Sequence, residues 1–345
     1  MAASDLGKLL GLAGDVRLDF VDWPALRENA FGDPTTRPLA VYTPPGFDPQ
    51  GSRRYPVLYV LHGYTGDVAA LLAARPWERN VVQWVDRLVA EGTMPPVLLA
   101  IVDGNTRLGG SQYVDSIHNG AYATYVVRDV VAYVDANFPT VAHEGGRAVL
   151  GKSSGGFGAL YLTMTFPGIF GAVASHSGDT NFYGCYVPAF APAQRVLEAH
   201  GGDAETFVRA FEAKPKRSGD EMTAIMLLGQ AAAFSPAAAE PFAFDLPFDR
   251  HDGSLREDVF ARWLAFDPAE MCVHKWAELG RLRLRYLDCG RRDEYALDLG
   301  ARMFVQRVRG FGLEVRHEEF DDDHRNVGYR YAVSLPALAA VLETT

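Results

Sequence analysis

The segment Gly151-Lys152-Ser153-Ser154-Gly155 has the spacing G-x-S-x-G and occurs once in the 345-residue chain. A serine hydroxyl attacks a carbonyl only when a base takes its proton and an acid orients that base. Glycines two residues to either side of Ser153 remove the side chains that would crowd a sharp turn there. A serine lifted clear of its surroundings in this way is suited to acyl transfer from a carboxylic ester. Ser154 is the weaker nucleophile candidate, because the glycines are centred on Ser153. A glycine-rich turn that merely joins two elements is the plainer alternative.

The elements around the motif favour the chemical reading. An apolar strand, RAVL, runs into it, and a helical run, GGFGALYLTMTF, leaves it. A strand, a tight turn and a helix are what such a serine requires, since the helix start aims free N–H groups at the reacting atom. Further short apolar runs predict strands at residues 39–42, 56–61, 97–102, 147–150, 172–175, 282–287 and 314–319. Helical patterns at 80–90, 122–137, 155–166, 297–309 and about 329–342 alternate with them. This is the α/β class: a mostly parallel central sheet flanked by helices. Between about 178 and 279 no strand is evident. That stretch, with EMTAIMLLGQAAAF and helical patterns near 258–264 and 268–279, predicts a helical insertion. The expected organisation is one domain over 1–345, with a core at 38–178 and 280–345 and a cap or insertion at about 179–279.

If the base and acid follow the serine in the order Ser, Asp or Glu, His, His324 is the expected base. It lies in DDDHRNVGYR, just beyond the strand ending at 319, where a loop at a carboxyl end belongs. His317 falls inside that strand. For the acid, the loop GRRDEY offers Asp293, which we prefer. Asp288 lies closer to the strand and suits a structural bond, and Glu294 is a third option. An ester oxyanion needs two backbone N–H donors. Ser154, after the nucleophile, supplies one; Tyr64, in the turn His62-Gly63-Tyr64 after an upstream strand, supplies the other. Tyr113, Tyr122 and Phe182, with Trp77 and Tyr125, are candidates to line a substrate pocket, although such aromatics are more often core. The acidic run Asp321–Asp323 beside His324 lacks a second histidine at ligand spacing, so neither a metal nor any other cofactor is expected.

A net charge of −10 argues against nucleic acid as a partner. Cys185, Cys272 and Cys289 form no C-x-x-C pair, which suggests reduced thiols and a cytoplasmic setting. The N-terminal residues lack the pattern of a signal peptide, and no stretch is apolar enough for a membrane span. The expected partner is a small-molecule ester. Oligomeric state is left open, a homo-oligomer included.

Taken together, YPVLYVLHGYTGD, the strand ending IVDG, GAYATYVVRDVVAYVDANFP, GKSSGGFGAL, YLDCGRRDEYAL and FDDDHRNVGYRYAVSLPAL resemble one esterase family of the α/β-hydrolase fold. That family includes esterase D, S-formylglutathione hydrolases, feruloyl esterases, enterochelin-esterase-like enzymes and the antigen 85 mycolyltransferases. The resemblance covers roughly residues 38–178 and 280–345. It implies a triad of Ser153, Asp293 and His324, backbone oxyanion donors at Tyr64 and Ser154, and hydrolysis through an acyl-enzyme. An acyltransferase or an S-formylglutathione-type thioesterase is the alternative, and a non-catalytic scaffold the more distant one. The chain departs from many relatives at Ser154, where a bulky apolar residue is common. It also departs after His324, where tyrosines replace a tryptophan, and in the insertion, which the smaller members lack.

Overall fold

The computed structural model describes residues 5–344. Its centre is an eight-stranded sheet. In chain order the strands are β1 (Asp15–Asp22), β2 (Thr36–Thr43), β3 (Val57–Leu61), β4 (Leu98–Val102), β5 (Arg147–Lys152), β6 (Ala172–His176), β7 (Leu284–Gly290) and β8 (Arg316–Phe320). Their spatial order is β1-β2-β4-β3-β5-β6-β7-β8. β1 pairs antiparallel with β2, and β2 antiparallel with β4; from β4 to β8 every pair is parallel. This is the α/β-hydrolase architecture, a mostly parallel sheet flanked by helices.

β3, β4 and β6 are buried along their whole length. That is why β3 and β4 read as unbroken apolar runs, not as alternation, while β6 is apolar only until Ser175 and His176 at its end. The pleat still sorts their side chains. Val57, Tyr59 and Leu61 join one core, and Leu58 and Val60 join the core on the opposite face. Helices Tyr122–Thr124 and Val131–Asn137, joined by a π-helical turn over Tyr125–Val130, cover the first face. Val81–Ala90 and Tyr331–Ala339 cover the second.

Two expectations need correction. The core does not begin at residue 38: β1 precedes it. Only Val16 of β1 is fully buried, so this edge strand carries no apolar run to betray it. The single helix expected over 268–279 is two helices, Pro268–His274 and Trp276–Gly280.

The segment after β6 is helical. Its principal helices are Phe190–Glu198, Ala204–Ala213, Gly219–Phe234 and Glu257–Leu264. They enclose their own apolar cluster, with Phe190, Phe207, Leu228 and Trp263 at its centre. Phe157, from the helix that follows Ser153, belongs to that cluster too, so the segment is packed directly on the core beside the motif. No helix among the described residues is long and apolar enough to cross a membrane.

Candidate active site

Ser153 stands between β5 and the helix Ser154–Thr165, with φ 56° and ψ −126°. An L-residue rarely adopts this conformation, and its presence here is local backbone strain. The packing around the turn enforces it. A Cβ on Gly155 would lie 2.1 Å from the Leu61 carbonyl oxygen and 2.7 Å from that of His62. Only glycine lets the helix start press against the end of β3.

The loop after β8 brings His324 to this turn, and the loop after β7 brings Asp293. His324 Nε2 lies 3.1 Å from Ser153 Oγ, and His324 Nδ1 lies 2.8 Å from Asp293 Oδ2. The carboxylate can only accept, so Nδ1 carries the proton and Nε2 is free to accept from the serine. Asp293 also receives the Tyr295 N–H at 3.0 Å and the Cys289 thiol at 3.6 Å. Burial alone would push its carboxyl up. The hydrogen bond and charge of His324 outweigh that and hold it below the ordinary range. The Tyr295 ring meets the imidazole edge-on at 5.0 Å. A hydroxyl, an imidazole and a carboxylate in this relay can deliver a serine oxygen to a carbonyl carbon.

The other two acid candidates have different partners. Glu294 Oε2 accepts the backbone N–H of His324 at 3.0 Å and so anchors the loop, not the ring. Asp288 belongs to a second network, whose Asp288, His176 and Ser334 are buried. It binds His176 Nδ1 at 2.7 Å, and His176 Nε2 lies 2.9 Å from Ser334 Oγ. Tyr286 and Arg330 donate to its second oxygen at 2.9 and 2.8 Å. Burial pushes the Asp288 carboxyl up, but His176 and Arg330 bring it below its usual value. The three residue types repeat those at Ser153, yet Ser334 is inaccessible and sits inside a helix. This network fastens the final helix to β6, β7 and, through Arg330, to Glu318 of β8 at 2.5 Å.

The N–H of Ser154 opens its helix and has no intrahelical acceptor. The N–H of Tyr64 donates to no described residue. Its loop is held from several sides. Tyr64 Oη donates to the Leu108 carbonyl at 2.7 Å, and Thr65 N–H donates to that of Gly109 at 2.7 Å. His62 Nε2 accepts the Gly104 N–H at 2.7 Å while its Nδ1–H donates to the Gly63 carbonyl at 2.8 Å. Burial lowers the affinity of His62 for a second proton, consistent with this neutral tautomer.

A cavity of about 860 Å³ opens beside Ser153 and His324. Tyr64, Lys152, Ser154, Tyr295 and Arg325 line it from the core, and Cys185, Tyr186, Asp220, Met222, Thr223 and Met226 from the helical segment. The expected pocket residues lie elsewhere: four are spent in packing and Trp77 lies on the surface. Tyr113 is buried against Gly104 and Gly158 and donates to the His62 carbonyl at 2.9 Å. Tyr122 donates to the Asn105 carbonyl at 2.8 Å. Phe182 sits in the aromatic cluster of the helical segment, and Tyr125 is also core. Trp77 is exposed on the surface. Of the acidic run beside His324, Asp321 pairs with Arg292, Asp322 accepts from Tyr329, and Asp323 caps the Arg325 N–H.

Sequence reasoning missed Asp179. It lines the cavity from the loop after β6. The only signal was its place three residues beyond a strand's carboxyl end, where ligand-binding groups gather.

Comparison with known proteins agrees with this architecture. A ferulic acid esterase structure superposes with a TM-score of 0.63 at 18% identity, covering 96% of this chain and 100% of the other. An S-formylglutathione hydrolase from Agrobacterium tumefaciens superposes with a TM-score of 0.58 at 16% identity, covering 96% and 97%. At such identities the two share the fold. Esterase Rv1288 of Mycobacterium tuberculosis (strain ATCC 25618 / H37Rv) is 30% identical over 154 residues, which is 44% of this chain and 32% of that protein. The chain thus spans about a third of the length of the curated relatives it matches. The family model described as "Putative esterase" matches residues 33–296. That match runs from before β2 to the end of the loop bearing Asp293, and the chain belongs to this family of esterases.

Proposed function

We propose that this protein is a serine carboxylesterase that works through an acyl-enzyme. The observation that carries the reading is the continuous relay from Ser153 Oγ through His324 to Asp293, beside two unused N–H groups. Ser153 attacks the ester carbonyl while His324 Nε2 takes its proton. Asp293 fixes the imidazole tautomer and stabilises the imidazolium that forms. The N–H groups of Ser154 and Tyr64 receive the oxyanion. His324 then protonates the departing alcohol. In the second half-reaction His324 takes a proton from water, the hydroxyl attacks the acyl carbon, and Ser153 is regenerated. The helical segment at about 179–279 serves as a cap that forms one wall of the substrate cavity. Three unpaired, buried cysteines suit a reducing compartment, and we place the protein in the cytoplasm.

The test is a panel of p-nitrophenyl esters, with S-formylglutathione and a feruloyl ester added, combined with fluorophosphonate labelling. Wild type should hydrolyse short esters and carry the label on Ser153. Ser153→Ala should lose both. Retention of hydrolysis by Ser153→Ala would refute the mechanism. Product analysis with added alcohols separates hydrolysis from acyl transfer.

A further inference from the structure

Asp179 is 6% exposed, and that small surface faces the cavity shared by Ser153 and His324. Its position is fixed by the backbone on either side. Ser177 has φ 43° and donates its N–H to the Asp288 carbonyl at 2.7 Å. Gly178 packs so tightly on the helix start that a Cβ there would lie 2.8 Å from the Gly156 carbonyl carbon. On the other side, Asp267 takes the N–H groups of Asn181 and Phe182 at 2.9 and 2.7 Å.

The carboxylate is only half satisfied. Oδ2 accepts from Tyr186 Oη at 2.8 Å and from Ser154 Oγ at 3.4 Å. Oδ1 accepts from no described residue, and it is not sealed within the protein. No lysine or arginine among the described residues pairs with Asp179. A buried carboxylate without a counter-ion is costly unless donors surround it. Burial accordingly raises this carboxyl to about 6, which leaves it charged at neutral pH. Nothing in the ester-cleaving relay uses it. An open acceptor of this kind is placed to receive a donor from a molecule in the cavity. Lys152, Arg325 and Asp220 line the same cavity, whose lining charges thus include both signs; a neutral donor such as a hydroxyl brings its proton without the desolvation cost of a second buried charge. Met222, Met226 and Leu297 supply apolar contact for the rest of the molecule.

We propose that Asp179 determines substrate specificity by accepting a hydrogen bond from a hydroxyl group of the ester, so that hydroxyl-bearing esters react faster than their deoxy counterparts. This inference rests on the serine-esterase reading above. A site built around such a hydroxyl discriminates strongly against an analogue lacking it, because the acceptor is then left buried and unpaired.

The experiment compares kcat/KM within two matched pairs: p-nitrophenyl butyrate with p-nitrophenyl 3-hydroxybutyrate, and ethyl butyrate with 2-hydroxyethyl butyrate. Wild type should prefer the hydroxylated member of at least one pair by about tenfold or more. Asp179→Asn should bring that ratio to within about threefold of unity, the loss expected when a charged acceptor becomes neutral. Active wild type with ratios near one in both pairs overturns the proposal. So does an Asn variant that slows both members equally, since that would mean Asp179 acts through His324. If Asp179→Asn does not fold, Tyr186→Phe replaces it. Removing the internal donor should leave the preference intact or enlarge it, and a fall to parity overturns the assignment. If wild type hydrolyses none of the esters and Ser153 resists fluorophosphonate, the serine-esterase reading itself fails and this inference with it.

Discussion

Replacing Ser153 with glycine should give an inactive protein that is more stable than the equally inactive Ser153→Ala. The reason is the backbone at φ 56°, ψ −126°. Serine and alanine both carry a Cβ, so both suffer the strain of that conformation; glycine does not. Both substitutions remove the same hydrogen bond from Oγ to His324. The difference between the two variants therefore isolates the strain. Residues held in such regions cost on the order of 1–3 kcal/mol. Glycine adds unfolded-state entropy that offsets about 0.5–1 kcal/mol of this. The glycine variant should thus exceed the alanine variant by about 1 kcal/mol, within a span of about 0–2.5 kcal/mol, or a few degrees in Tm. Urea unfolding followed by tryptophan fluorescence reads the difference as a shift in midpoint at a shared slope. A glycine variant less stable than the alanine variant would refute the argument that the turn at Ser153 stores strain.

Gly155→Ala places a methyl group 2.1 Å from the Leu61 carbonyl oxygen, so β3 and the Tyr64 loop must retreat. We expect about 1–3 kcal/mol of destabilisation and a rate loss near a hundredfold, measured by thermal melting and ester hydrolysis; unchanged kinetics would contradict the close-packed turn. Asp288→Asn leaves Arg330 and His176 without their shared carboxylate and should cost about 3–5 kcal/mol in chemical denaturation. Ser334→Ala should retain full fluorophosphonate labelling, because Ser334 is inaccessible; lost labelling would reassign the nucleophile. Asp179 predicts a pH signature. Its carboxyl stands at about 6 in the fold against an ordinary 3.8, so the folded protein holds this proton more tightly than the unfolded chain. The resulting stability is present below about pH 4 and is lost as pH rises through about 6. Asp179→Asn should therefore gain on wild type by about 1–3 kcal/mol between pH 4 and 8. Tyr186, Ser154, His324, Asp293 and Cys185 face this carboxylate. A constant difference across that range in urea titrations would disprove the assignment.

The sequence by itself determined the strands that carry the site, because a strand buried on both faces favours an unbroken apolar run and β3 and β4 have one. It determined the turn at Ser153, because crowding there admits only glycine at 155. It placed Asp293 and His324 in loops after strands, which chain order alone makes plausible. It did not reveal β1, whose side chains mostly face solvent and leave no apolar pattern. It preferred Asp293 to Asp288 and Glu294 but could not assign the partners of the other two. All three lie within a few residues, and only the register of β7 against β6 and the path of the loop after β8 direct one to the His324 ring, one to His176 and one to a backbone N–H. Tyr113, Tyr122 and Phe182 have the composition of pocket residues and the positions of core residues, a distinction that depends on which way each side chain points. Asp179 is the clearest case. Its type and neighbours in the chain are unremarked, and its chemistry arises only because Gly178 packs on Gly156 and Tyr186 folds back from the helical segment to hold one of its two oxygens.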